Sequence, residues 1–192
     1  MNPRILLLII LIPILFLLNL LLGSVHIPAA DVLQALLHPD GSSTSYIITA
    51  SRLPAAITAT LAGASLATAG LLLQTTFHNP LAGPSILGIT SGANLGVAIV
   101  MLALGGTVTA GMHTWSGHLA IVVAALAGSL LVMALLLLFS SLLKNSLLLL
   151  ITGIMTGYIT SSAITLLNLL ASAESIQGFV LWGMGSFNSV SL

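Results

Sequence analysis

Apolar residues run in five long stretches, Ile5–Leu22, Ala55–Phe77, Ser85–Leu104, His118–Phe139 and Ser146–Leu170. Polar punctuation falls between them, in HPDGSSTS (His38–Ser45), HNPLAGP (His78–Pro84), GGTVTAGMHTWSG (Gly105–Gly117) and SSLLKNS (Ser140–Ser146). A helix of about 20 apolar residues crosses a hydrocarbon core of roughly 30 Å. Each stretch approaches that length, and none holds Asp, Glu, Lys or Arg. The pattern predicts an all-α, polytopic transmembrane bundle with five spans. MNPR ahead of the first run and GSVHIPA after it also resemble a signal peptide. The run is longer than the roughly 7–15 apolar residues such a peptide carries, which favours a retained helix.

Small residues recur every four positions, and positions four apart share a helix face. Ala55, Ala59, Gly63 and Ala67 form one row; Gly88, Gly92 and Gly96 form another. Ala120, Ala124 and Gly128 follow in the fourth span, and Gly153, Gly157 and Ser161 in the fifth. Lipid tails are as apolar as leucine, so membrane helices associate through such close-packing seams. The first span has none and is expected at the periphery.

Composition agrees. Of 192 residues, 58% are hydrophobic and 3% charged, with a mean hydropathy of +1.22. Soluble domains carry about 25% charged residues; this chain needs lipid as its solvent. Three basic residues make no patch for nucleic acid. The absence of cysteine excludes disulfides and thiolate chemistry. Arg4 and Lys144 share one side if all five spans cross, and basic loops face the cytoplasm. The amino terminus and the His78–Pro84 turn are then cytoplasmic.

Polar groups at membrane depth face other helices or water-filled cavities. Thr90, Ser91 and Asn94 open the third span, and the fifth is dense in Thr, Ser and Asn. Thr152 and Thr156 are candidates to line a pathway wall; the alternative is that such hydroxyls bond back to their own helix. The five histidines fall in loops or at span edges. His113 and His118 lack a nearby third metal ligand. GITSG (Gly88–Gly92) matches no serine-hydrolase pattern, and no histidine lies mid-span to act as its base.

The stretch SRLPAAITATLAGASLATAGLLLQTTFHNPLAGPSILGITSGANLG (Ser51–Gly96) closely resembles the permease family of ATP-binding-cassette importers for iron-siderophores, haem and vitamin B12. The matching positions are Arg52-Leu53-Pro54, Gly70 to Gln74, Asn79-Pro80-Leu81-Ala82, Pro84, Leu87-Gly88 and Gly92-Ala93. The resemblance implies a non-enzymatic transport subunit in a bacterial inner membrane. It implies a homodimer with a second permease chain, two cytoplasmic ATPase subunits and an extracytoplasmic substrate-binding protein. ATP would be used by those partners, with no cofactor held by this chain. Carried over residue by residue, Asn79 and Leu81 fall at one cytoplasmic gate and Asn145 and Ser146 at another. Arg52 stands where the family meets an acidic residue of the binding protein, although Ala55 replaces a second arginine often found there. Pro80 and Pro84 would stiffen the turn at the inner mouth. The sequence ends at FNSVSL, where a sixth helix would begin. The resemblance therefore implies an N-terminal part of such a permease, five spans of an expected ten, without the family's ATPase-docking loop. Iron-siderophore is the leading cargo. The other readings are a non-transporting membrane fragment and a membrane metal or haem binder using His113 and His118.

Overall fold

The structure, a computed structural model, describes residues 3–103, 115–143, 145–187 and 190. Every regular element among them is helical. They are α1 (Pro3–Leu21), α2 (Ala29–Leu37), α3 (Ser43–Tyr46), α4 (Leu53–Thr76), α5 (Ile89–Ala98), α6 (Trp115–Leu143), α7 (Ser146–Leu170) and α8 (Ala173–Met184). π-helical turns at Ile47–Arg52 and Ile99–Ala103 extend α3 into α4 and lengthen α5. The chain divides into two compact units, Met1–Leu66 with Ser186–Leu192, and Ala67–Gly185.

In the first unit α1 exposes nearly all its length; Leu7 is 62% exposed, and Leu20 is its one buried residue. A water-soluble domain would not leave such a surface open, whereas lipid tails solvate it. The core here gathers Leu20, Ile27, Val32, Ala35, Ile48 and Ala56. α2 was not expected. It forms because Val32 and Ala35 share one face, which packs into this core. α3 starts at Ser42, whose hydroxyl accepts the Ser45 N–H at 3.1 Å. The Ser42 side chain and N–H both bond to Asp40, holding its carboxyl below the ordinary value.

The second predicted span begins earlier than its apolar run. The continuous helical stretch is Ser43–Thr76, so Arg52 lies within it. The other spans long and apolar enough to cross a membrane are Pro3–Leu21, Ser116–Leu142 and Leu147–Leu170. The third is the shorter Ile89–Ala103. It starts four residues later than the sequence pattern suggests because Gly88, at φ +76°, is left-handed and breaks the helical path. Its expected end at Leu104 lies outside the described residues.

In the second unit α5 lies against α6 at backbone distance. A Cβ added at Gly96 would collide with the Ala124 carbonyl, and one at Gly128 with the Gly92 carbonyl. The seams read in the third and fourth spans are thus two halves of one crossing. Leu73, Phe77, Leu87, Val132, Leu136 and Leu149 close the core on one side. Val97, Met101 and Ile121 close it elsewhere, with Phe179 and Trp182 of α8, stacked on each other, packed against them. In lipid, moving an apolar side chain out of the solvent gains little, so dispersion at these close contacts is the stabilising term. Gly63 differs. Among the described residues nothing lies within 4 Å of where its Cβ would be.

Candidate functional site

The turn after α4 is built residue by residue. His78, at φ +48°, takes the left-handed position that ends a helix. The Asn79 N–H then reaches the Gln74 carbonyl at 3.1 Å and the His78 N–H that of Thr75 at 3.4 Å. Pro80 sits second in a four-residue turn closed by the Ala82 N–H on the Asn79 carbonyl, 3.0 Å. The Asn79 side-chain oxygen accepts the Leu81 N–H at 2.9 Å. The amide expected at a gate is therefore engaged in shaping the turn. It leaves Leu81, 63% exposed, standing out from it.

Beyond the turn, the segment ending at Gly88 is pressed onto α7. A Cβ at Gly88 would lie 2.7 Å from the Gly153 carbonyl oxygen, and one at Gly153 would lie 2.7 Å from the Leu87 Cα. Gly88 needs glycine twice, for its backbone angle and for this approach. Gly157 is looser, with only Ser91 Oγ near its Cβ position, at 3.5 Å.

Along this seam runs an open groove of about 510 Å³. Leu81, Ser85, Ile86 and Ser91 form one wall. Leu150, Gly153, Ile154, Gly157, Tyr158 and Ser161 form the other, a single face of α7. The lining mixes hydroxyls with apolar groups and contains no carboxylate, amine or imidazole. Such a surface offers weak, distributed contacts, without a fixed charge that would trap an ion.

Of the residues singled out from the sequence, the structure brings Leu81, Gly153 and Gly157 together here. Thr152 and Thr156 do not line the groove. Their hydroxyls donate back to the Leu148 and Thr152 carbonyls, each at 2.8 Å. Asn145 caps α7, accepting from the Leu147 N–H at 2.9 Å and the Leu148 N–H at 3.4 Å. Ser146 begins α7, and its side chain lies outside the described set, as do His113 and Lys144. Ser85, Ile86, Leu150 and Ile154 went unremarked in the sequence. The signal for them was the glycine period at 153 and 157, which marks where backbone comes close and neighbouring side chains must splay outward.

Arg52 is 9% exposed. Its Nη1 donates to the Leu20 carbonyl at 2.8 Å and the Leu21 carbonyl at 3.0 Å, and its Nη2 donates to that of Val25. The cation thus caps the carboxyl-terminal end of α1, where carbonyls lack helical partners and the helix dipole is negative.

Lipid-facing helices locked by glycine seams, with a groove along one of them, define a multi-span membrane protein of transporter type. The model of the FecCD transport family matches residues 8–192, and the chain belongs to that family. Among curated proteins, the vitamin B12 import system permease BtuC of Escherichia coli (strain K12 / DH10B) is 33% identical over 140 residues, 72% of this chain and 40% of that one. BtuC of Shigella boydii serotype 18 aligns with the same figures. A solved structure described as an inward-facing metal-chelate type ABC transporter superposes with a TM-score of 0.73 at 28% identity. That match covers 99% of this chain and 56% of the other. The chain therefore spans well under two thirds of the length of these relatives.

Proposed function

We propose that this chain forms part of the membrane permease of an ATP-binding-cassette importer, and that the groove along α7 is one wall of its translocation pathway. The observation that carries the reading is the seating of the Asn79–Ala82 turn and its successor on the glycine face of α7. A close backbone seam there supports a wall of hydroxyls and apolar side chains, suited to a bulky, weakly held cargo. Leu81 at its edge acts as a gating side chain, with Asn79 and Asn145 shaping the segments around it. The leading cargo is an iron-siderophore; cobalamin, favoured by the BtuC relatives, and haem are the alternatives. Partners on this reading are a second permease chain, two ATPase subunits that hydrolyse ATP, and a binding protein outside. The location is a bacterial inner membrane with the amino terminus cytoplasmic.

Gly157→Leu tests it. The added side chain projects into the groove while its Cβ meets only an ordinary contact, so the fold is spared. Uptake of labelled ferric siderophore and of labelled cobalamin should be measured in cells carrying the protein at its own locus. Loss of one uptake with unchanged protein level supports the pathway and names the cargo. Wild-type uptake of whichever compound is transported removes α7 from the pathway.

A further inference from the structure

Asn19 near the end of α1, Ser24 in the following loop, and Ser51 and Arg52 in the π turn line a second cavity, of about 510 Å³. A guanidinium has five N–H donors. Three are engaged by carbonyls, which leaves two without a partner among the described residues. None of the Asn19, Ser24 and Ser51 side chains bonds within the described residues. The chain has three acidic residues, Asp31, Asp40 and Glu174, and none lines this cavity. A nine-tenths-buried cation is thus hydrogen-bonded but meets no carboxylate among the described residues, and buried charge is costly unless paired. The loop is shaped to this arrangement. A Cβ at Gly23 would lie 2.7 Å from Arg52 Nη2, so a glycine here lets the loop close over the guanidinium without displacing it.

We propose that this cavity binds the phosphate group of a membrane phospholipid. The forked guanidinium matches phosphate oxygens, and the amide and hydroxyls supply further donors. A lipid is favoured over a free anion because Leu22, 67% exposed, lines the rim, and the exposed Leu17 and Leu18 continue down α1 from it. Acyl chains lie along that surface while the headgroup reaches Arg52. The inference rests on the membrane reading and not on import.

The test is lipid retention by the purified, delipidated full chain in detergent, followed by native mass spectrometry. The probes are dioleoylphosphatidylglycerol, dioleoylglycerol without a phosphate, and inorganic phosphate as competitor. The phospholipid should be retained and the phosphate-free lipid should not. Arg52→Gln should lower retention about tenfold, in keeping with loss of a charge-assisted bond. Because that variant also loosens α1, the double variant Asn19→Leu with Ser51→Ala, which leaves the three carbonyl bonds in place, should lower it too. Equal retention of both lipids, or wild-type retention by the double variant, overturns the proposal. Ready displacement by inorganic phosphate overturns the lipid as the source while keeping the phosphate chemistry. If Arg52→Gln weakens only the capture of an acidic binding protein and leaves lipid retention intact, the cavity is a docking contact and the proposal falls. Uptake assays are independent of all these outcomes.

Discussion

Two asparagines show how one side chain can serve the backbone beneath a functional position. Asn79 and Asn145 each place the side-chain oxygen on N–H groups two or three residues ahead, fixing a turn and a helix start. An asparagine before an apolar run is a helix-start signal in sequence; what the run packs against is not. Asn145→Ala should cost about 1 kcal/mol, the usual worth of such a cap. It should speed amide exchange at Leu147 and Leu148, and Asn145→Asp should restore both readings. Unchanged exchange in the alanine variant would remove the cap from the account. The threonines of α7 illustrate the converse. Thr152, Thr156, Thr160 and Thr165 all donate to carbonyls of their own helix, at 2.8 to 3.0 Å. Hydroxyl density in a span therefore signalled self-satisfaction in the membrane as much as a polar wall.

Helices in this protein are joined where backbones can touch. The row at Gly88, Gly92 and Gly96 meets α6 and α7, whereas Gly63 in α4 meets nothing among the described residues. Sequence spacing marks both rows identically, because it reports which residues share a face and not what that face opposes. Gly96→Ala should destabilise by about 1–3 kcal/mol, the range for overpacking, since its methyl meets the Ala124 carbonyl. Gly63→Ala should be neutral or stabilising by up to ~1 kcal/mol, since alanine is the better helix former. Thermal unfolding of the detergent-purified protein checks both, and equal midpoints for the two variants would refute the seam. The helices missed in sequence, α2 and α8, are short. α8 has the legible cues, Ser172 as its cap and Glu174 in its first turn. α2 has no side-chain cap; Asp31 in its first turn and its packing face are what identify it.

For the whole molecule, the alternation of apolar runs and polar breaks predicts topology directly. With the His78–Pro84 turn on the cytoplasmic side, a membrane-impermeant maleimide should label His38→Cys in spheroplasts. It should label Gly83→Cys only after permeabilisation. Ala82, though at the same turn, is 2% exposed and unsuitable, whereas Gly83 has no atom within 4 Å of its Cβ position. Ready labelling of Gly83→Cys in sealed spheroplasts would reverse the orientation.

By itself the sequence determined that the chain lives in lipid, that it is helical, roughly where its long apolar helices run and which faces are small enough to pack. Each of these follows from residues within a turn or two of one another, through helix geometry and the bilayer's thickness. Tertiary structure decided which small-residue faces are paired, which side of α7 carries the groove, and that Arg52 turns onto α1. Those outcomes depend on groups far apart in the chain; Arg52 and the Leu20 carbonyl it holds are 32 residues apart. No local periodicity encodes such a distance, and only the folded packing brings the two into contact.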